Sequence, residues 1–334
     1  MRRLNSVERE PNTIYVASIS YGKDSLAMLE AIHRLGYPLD RIVSVQVWAT
    51  DTIPADLPKM YEWKAKADEI IYQKYGIRVE RISAKNGGGC YLINHSSTSN
   101  YQREDILEQS KVSHKPLEVG VKNSNMNILT YENIFYKTRK LRKLHKKKTF
   151  YIYGFPMKKG NWCTNLLKTN LLDKATKVFL DSPRTKGDTK IVQYLGIASD
   201  EHIRIERHSK KENIVLPLWD IDWEEDYCGL WCSYNDLLSP TYINGTRDGC
   251  WFCHNQGVEQ LRLLRKNYPN LWEILLKWDL DSPASFKSDG HTVHDYDKRF
   301  ELEDKGIIKK DEPFFWKYLE KPPQRQITMF DILE

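Results

Sequence analysis

The sequence predicts an α/β protein, with a parallel sheet flanked by helices and a cysteine-rich, mainly helical C-terminal part. Up to residue 85, short β-branched and apolar runs alternate with amphipathic helical patterns. This alternation is typical of parallel strands joined by right-handed helical crossovers. After residue 205 the chain becomes rich in tryptophan and carries closely spaced cysteines. Its 334 residues suffice for one large domain or two smaller ones.

The first strand is predicted at residues 13–19, a short run of mostly β-branched and apolar residues. The next helix is predicted at 25–35, because its apolar residues recur at helical spacing and share one face. The same two patterns predict strands at 41–48, 77–82 and 190–196, and helices at 55–75, 131–148 and 164–179.

Changes in composition divide the chain into three predicted parts. Residues 1–205 carry the alternating pattern, interrupted at about 86–130 by a polar segment rich in Gly, Ser and Asn. A connection of that length is typical of an insertion, a lid or a partly mobile loop. Residues 206–320 form the predicted C-terminal subdomain, and residues 321–334 form a tail.

The positive net charge comes from one segment. Residues 137–148 (KTRKLRKLHKKK) hold eight Lys and Arg residues and no acid, so without them the net charge of +6 becomes −2. Such a run is either a solvated helix face or a patch that binds nucleic acid or another polyanion. The charge alone does not separate these two interpretations.

No run of eighteen apolar residues occurs, so no membrane-spanning helix and no membrane partner are expected. The N-terminal MRRLNSVEREPN has two arginines without the apolar stretch of a secretory signal. Six cysteines are too few for a disulfide-stabilised scaffold of this length. We therefore expect a cytoplasmic protein whose clustered cysteines serve metal or redox chemistry.

The loop between the first strand and the first helix has the chemistry of an anion site. A helix N-terminus presents free backbone N–H groups and a positive dipole end. Gly22 permits a close approach of the backbone, Ser20 and Ser25 offer hydroxyl donors, and Lys23 adds a charge. Asp24 would cap the helix or help to hold Mg²⁺. The sequence is neither a P-loop nor a dinucleotide-binding fingerprint, and an ordinary strand–helix turn is the alternative.

Several segments match a known pattern when taken in order. They are SYGKDS at 20–25, DT at 51–52 with Pro58 and Tyr61, WCT at 162–164 with Lys168, LGIASDE at 195–201, and LSPTY at 238–242 with RDGCWFC at 247–253. Over residues 13–256 this order resembles the phosphoadenosine phosphosulfate (PAPS) reductase-like family of the adenine nucleotide α-hydrolase-like superfamily. Tyr21 replaces the first glycine of the SGGKDS pyrophosphate loop in that family, and Ala198 replaces an arginine.

The resemblance implies a Rossmann-like fold and a set of nucleotide-binding residues. Residues 20–25, which are Ser20, Tyr21, Gly22, Lys23, Asp24 and Ser25, would bind the phosphates of ATP or of PAPS with Mg²⁺. Asp51 and Thr52 would lie near the adenosine or the reacting phosphate, and Lys168 and Arg204 would neutralise phosphate charge. The candidate catalytic residues are Lys23, Asp24 and Asp51. A helix or turn cap is the alternative for Asp51, and a surface salt bridge is the alternative for Lys168 and Arg204.

The cysteines allow two sets of metal ligands. Spacing alone groups Cys228, Cys232, Cys250 and Cys253 as a four-thiolate site resembling a zinc ribbon. The family resemblance instead implies Cys163, Cys232, Cys250 and Cys253 around a [4Fe–4S] cluster or Zn²⁺. We favour the second set, although it remains open whether Cys228 replaces Cys163. His254, next to the last cysteine, is a weaker candidate ligand.

Reductase chemistry in this family uses a nucleophilic cysteine near the C-terminus, and no cysteine follows Cys253 here. We therefore expect ATP-dependent adenylylation of a substrate with release of pyrophosphate, in sulfur transfer or nucleic-acid modification. One alternative is PAPS reduction with thiols from a partner. Another is a non-catalytic nucleic-acid-binding protein with the same fold.

The tail offers one further hypothesis about a partner. Residues 326–330 (QITMF) resemble the Q-L-x-L-F peptide with which bacterial proteins dock on the replication sliding clamp. They follow two prolines that favour an extended linker. An ordinary terminal segment is the alternative, and with the 137–148 run the peptide favours a DNA-associated role.

Overall fold

The computed structural model describes residues 7–85, 90–93, 128–140, 150–156, 161–172, 174–175, 189–242 and 249–312. Its strands are β1 Thr13–Ile19, β2 Arg41–Val45, β3 Val79–Ala84, β4 Cys90–Ile93, β5 Thr138–Lys140, β6 Phe150–Ile152, β7 Lys190–Tyr194 and β8 Ile214–Val215. Its helices are α1 Lys23–Arg34, α2 Pro58–Tyr75, α3 Tyr131–Phe135, α4 Trp162–Thr164, α5 His202–His208, α6 Pro217–Asp220, α7 Glu225–Tyr234, α8 Val258–Asn267, α9 Pro269–Asp281 and α10 Val293–Asp304.

The main sheet has the strand order β4-β3-β2-β1-β7-β8. Five of its strands are parallel, and β4 pairs antiparallel with β3 at one edge. The predicted α/β fold with a parallel sheet and flanking helices is thus confirmed. β1 lies at the centre, and the chain leaves β1 and β7 in opposite directions along the sheet. This arrangement opens a crevice at the carboxyl ends of those two strands.

Side chains alternate between the two faces of the sheet along each strand. Both faces are buried, since each set of side chains packs into a core of its own. On one face, Tyr15 and Ala17 of β1 pack with Leu26, Leu29 and Trp231; we call this the α1-side core. On the other face lies the aromatic core, which contains Val16, Tyr131, Phe135, Trp251 and Trp278. Each core draws residues from both sides of the predicted boundary near residue 205, so the C-terminal helices pack directly on the sheet.

The structure confirms the strand at 13–19 and shifts the ends of its neighbours by a few residues. The helix predicted at 55–75 begins at Pro58, since proline fits the first turn of a helix, where its missing N–H costs nothing. The segment around 86–130 includes β4, so part of this predicted insertion completes the sheet edge. Residues 94–127 lie outside the described residues.

Within the described residues, the helix predicted at 131–148 ends at Phe135, and the prediction is wrong for residues 138–140. Residues 138–140 form β5, which pairs antiparallel with β6. Residues 138–140 pair with β6, which lies ten or more residues further along the chain. This pairing overrides their local helical preference. The helix predicted at 164–179 begins earlier, at Trp162, and contains a π-helical turn at Asn165–Thr169. Residues 141–149 and 176–188 lie outside the described residues.

Within the described ranges, no helix combines the length and the apolar character needed to cross a membrane.

The segment after β7 comes into direct backbone contact with the start of α1. A Cβ atom at Gly196 would lie 2.7 Å from the carbonyl oxygen of Asp24 and 2.8 Å from the Cα of Ser25. Only glycine allows this approach, because real Cβ atoms need more space from backbone atoms. The contact therefore joins the loops that follow the two central strands.

We expect Gly196→Ala to destabilise the protein by about 1–3 kcal/mol, because the added methyl group displaces backbone that cannot move aside. Urea unfolding followed by circular dichroism measures this change. Gly249→Ala is the matched control, since a Cβ atom there meets no atom of the described residues within 4 Å. Equal stability of the two variants would contradict the tight packing described for Gly196.

Candidate phosphate loop and cysteine sites

Residues 20–25 form the loop between β1 and α1, at the crevice where the strand order reverses. The Ser25 hydroxyl closes the loop: it donates to the carbonyl of Gly22 at 2.8 Å and accepts from the backbone N–H of Ser20 at 3.2 Å. Gly22 is the N-cap residue of α1 and makes no side-chain cap. The positive end of a twelve-residue helix therefore faces the crevice at the position predicted for an anion.

Tyr21 has a left-handed backbone, with φ at 63°, at the position where the resembled loop has glycine. Its ring is buried, and its hydroxyl donates to Asp68. The Lys64 ammonium lies 4.8 Å from the ring centroid and the Arg81 guanidinium lies 5.6 Å from it. These contacts hold a conformation that is costly for a bulky side chain. Tyr21 thus anchors the loop to α2 and β3 through its side chain.

The Lys23 ammonium is already bonded. Its Nζ lies 2.7 Å from Oε1 of Glu225, donates to the Glu225 carbonyl at 2.9 Å, and lies 3.8 Å from Oδ1 of Asp24. Burial lowers the pKa of Lys23, but the Glu225 hydrogen bond and the nearby carboxylates outweigh this effect, so the net pKa is raised. Lys23 is positively charged and is held by the first turn of α7.

The environment of Asp24 disfavours the charged form of its carboxyl group. Burial raises its pKa to about 6, with further upward contributions from Glu225 and Glu201, against the lowering effect of Lys23 and Arg204. Its Oδ1 atom is buried and has no hydrogen-bond partner among the described residues. A carboxyl group with a perturbed pKa at the start of a helix in a crevice is a feature of functional sites.

Glu225 belongs to this site, although the sequence did not single it out. Its backbone N–H donates to Oδ1 of Asp200 at 3.2 Å, which connects α7 to the 195–201 segment. The only local signal is the acidic start of α7, Glu224-Glu225-Asp226, which is typical of any helix N-terminus. Its contact with Lys23 joins residues that are 202 positions apart.

The other predicted nucleotide-binding residues are spread around the crevice. Asp51 and Thr52 are exposed in the turn that follows β2, at the same edge of the sheet as the loop. Arg204, on α5, makes two hydrogen bonds to Glu201 and lies within electrostatic reach of Asp24. Lys168 is different, because its pKa is raised first by Cys250 and then by Cys253 and Cys163. The structure places Lys168 with the cysteines.

An open groove of about 540 Å³ runs from Lys23 along α7. Apolar and acidic side chains share its walls. It is lined by Lys23, Glu225, Asp226, Gly229, Leu230, Ser233, Leu238 and Tyr242. The groove therefore connects the start of α1 with the surface of α7.

The sheet divides the predicted cysteine ligands. Cys163 and Cys250 pack against the aromatic core, and a negative charge on Cys253 would raise the pKa of both. Cys232 lies in the α1-side core beside Cys228, where its thiol donates to the Lys23 carbonyl at 3.3 Å. Neither predicted set of four is brought together. No three His, Cys, Asp or Glu residues form a metal-holding group in the described part of the chain.

The three thiols on the aromatic side fit a metal centre only in part. Burial raises the pKa of Cys250 to about 11, and Lys168 opposes this shift. Lys168 would stabilise thiolates. The buried Tyr131 hydroxyl and Trp162 indole N–H find no hydrogen-bond partner in the part of the chain that the structure describes. A structural tetrahedral zinc site and a [4Fe–4S] cluster each take four protein ligands; this side carries three cysteines, and the described residues do not arrange them as a metal-holding group. His254 is buried, and its pKa is lowered by burial and by Lys287.

Comparisons with known proteins identify no relative of this chain. No family model, no curated protein and no solved structure matches this chain. The interpretation of the site therefore rests on its own geometry.

The basic run and the tail lie mostly outside the described residues. Lys137 and Thr138 are exposed, and Thr138 begins β5, but residues 141–149 are outside the description. The same holds for the tail at 321–334, including the clamp-like peptide at 326–330.

The Asp24 environment predicts a pH dependence of stability. The pKa of Asp24 is raised to about 6 in the folded state from an ordinary value of 3.8. The protonated Asp24 carboxyl therefore contributes fully to the free energy of unfolding below about pH 4, and this contribution is lost as the pH rises through about 6. We expect Asp24→Asn to gain stability over the wild type across this window, by at most about 3 kcal/mol at pH 7. Urea unfolding of both proteins between pH 4 and pH 7 measures the difference. A difference that stays constant with pH would show that Asp24 titrates normally.

Proposed function

We propose that the protein binds Mg-ATP, or a related adenylyl nucleotide, through residues 20–25 and activates an acceptor by adenylylation. The observation that carries this proposal is the loop itself, at a topological switch point, with a helix N-terminus, Lys23 and a buried Asp24 oxygen converging there. Oxygen-rich anions bind such helix ends, and the magnesium ion that accompanies them prefers carboxylate oxygens. The family resemblance of SYGKDS supports the same ligand.

In this reaction an oxygen, nitrogen or sulfur atom of the acceptor forms a bond to the α-phosphorus. The bond from that phosphorus to the bridging oxygen breaks, and pyrophosphate leaves with the electron pair. Lys23 and the helix N-terminus would stabilise the charge that grows on the phosphates. Asp24 would hold the magnesium ion of the nucleotide, and the acceptor proton passes to solvent or to a carboxylate at the crevice. Asp51, at the same sheet edge, remains a candidate contact for the adenosine.

Nucleotide binding requires a change at Lys23. In the structure its ammonium is neutralised by Glu225, and a triphosphate would compete for it. An exchange of one carboxylate for phosphate oxygens keeps the charge paired throughout. A site that already pairs Lys23 with a carboxylate is suited to an anion, and phosphate oxygens would replace the Glu225 carboxylate there.

We expect Lys23→Ala to weaken Mg-ATP binding by about tenfold or more, because a charge-assisted contact is removed. Calorimetric titration of anaerobically purified protein with Mg-ATP, and separately with PAPS, measures this. Lys210→Ala is the matched control, since Lys210 is exposed on the surface and bonds only loosely to Glu206, at 3.6 Å. Preference for PAPS would favour reductive chemistry with external thiols. Binding of neither nucleotide would contradict the proposal.

We further propose that Cys163, Cys250 and Cys253 contribute thiolates to a metal centre. Cys250→Ser and Cys253→Ser should then lose most of the bound iron or zinc, measured by elemental analysis of anaerobically purified protein. Cys228→Ser is the control, because Cys228 lies on the opposite face of the sheet. Loss of metal in Cys232→Ser, with the fold intact, would support the four-thiolate set that includes Cys232. Unchanged metal in the Cys250 and Cys253 variants would overturn the assignment.

A further inference from the structure

Helix α7 has an apolar stripe on its exposed side. Its inner side buries Cys228, Trp231 and Cys232 in the α1-side core. On its outer side Tyr227, Leu230 and Tyr234 are 45%, 58% and 86% exposed. Their spacing of three and then four residues places them in one row along the helix. Single exposed apolar residues are ordinary, but a continuous row beside a groove marks an interaction surface.

The charges around this row are acidic. Glu224, Glu225 and Asp226 are exposed at the start of α7, and Asp236 is exposed just beyond its end. The nearby cations on α1 and α2, Arg34 and Lys74, are paired with Glu30 at 2.8 Å and 2.9 Å. A nucleic-acid backbone would be repelled by these carboxylates, whereas Lys and Arg side chains would be attracted.

We propose that the outer face of α7, defined by Tyr227, Leu230 and Tyr234, docks a basic amphipathic helix of a partner protein. A row at helical spacing is complementary to the apolar stripe of a second helix, as in helix-in-groove recognition. The acids at both ends of the row match a basic rim on that partner. The groove lined by Leu230, Leu238 and Tyr242 receives one apolar side chain of the partner.

Docking on this face also affects the phosphate loop, a step that rests on the proposed function. The Glu225 carboxylate is more than half exposed at the start of the face and is bonded to Lys23. A partner cation that binds Glu225 weakens that bond and frees Lys23 for phosphate. The partner would thereby raise the affinity for the nucleotide.

The docking test uses the full-length protein and a fluorescent synthetic peptide of Lys and Leu, about five helical turns long, with Leu on one face. A peptide of the same composition, scrambled to remove the apolar face, is the peptide control. We expect the amphipathic peptide to bind, and Leu230→Ser/Tyr234→Ser to weaken binding about tenfold or more. Leu280→Ser is the matched protein control, because Leu280 is 73% exposed on α9. Fluorescence anisotropy measures the binding of the amphipathic and the scrambled peptide to the wild type, and of the amphipathic peptide to the two variants.

Equal binding of the scrambled peptide, or an unchanged affinity in the double variant, would overturn the docking face. So would binding of a fluorescent oligothymidylate, without peptide, that Leu230→Ser/Tyr234→Ser abolishes, because it would assign the face to nucleic acid. The coupling is read by titrating Mg-ATP with and without peptide: the peptide should tighten ATP binding in the wild type but not in Glu225→Gln. If the ATP affinity is the same with and without peptide, the coupling is overturned and the docking face is not. Absence of ATP binding overturns the proposed function and the coupling, while the anisotropy data still decide the docking face.

Discussion

The close approach of Gly196 to the first turn of α1 is the constraint on which the rest of the site depends. It brings the loop after β7 against the loop after β1, although the chain leaves the two strands in opposite directions. Asp200, a few residues later, then receives a hydrogen bond from the start of α7. Helix α7 is thereby held against α1, and Glu225 meets Lys23. A single position without a side chain thus determines how three segments far apart in sequence form one crevice.

Residues 20–25 show how a tyrosine is accommodated at position 21, where the resembled loop has glycine. A tyrosine with a positive φ is unfavourable by itself, and glycine would adopt that conformation at no steric cost. Here the side chain compensates through a buried hydroxyl bonded to Asp68, which is in turn bonded to Arg81 at 2.6 Å. The loop gains a rigid attachment to α2 and β3 that glycine could not provide. This attachment fixes the direction of the backbone N–H groups at the start of α1, and preorganisation of this kind is what the proposed nucleotide binding would use.

The sequence was sufficient for features that depend on local patterns. The bounds of β1, the alternation that predicts a parallel sheet, and the position of residues 20–25 between a strand and a helix all follow from residue spacing. β5 was missed because its conformation depends on pairing with β6 and not on its own composition. The contact between Glu225 and Lys23 was missed for the same reason, since it is purely tertiary. Cysteine spacing likewise could not show that the sheet lies between Cys232 and Cys250.

The position of Cys232 has a consequence for how motion at the crevice can be observed. Its thiol is fully buried at the seam between α7 and α1 and bonds to the backbone of Lys23, with Cys228 one turn away. Burial raises the pKa of Cys232 to about 12, so the reactive thiolate form is scarce. Because both sulfur atoms are buried at this seam, an alkylating reagent can reach them only if α7 and α1 move apart. The rate at which Cys228 and Cys232 are labelled would therefore report how often that separation occurs.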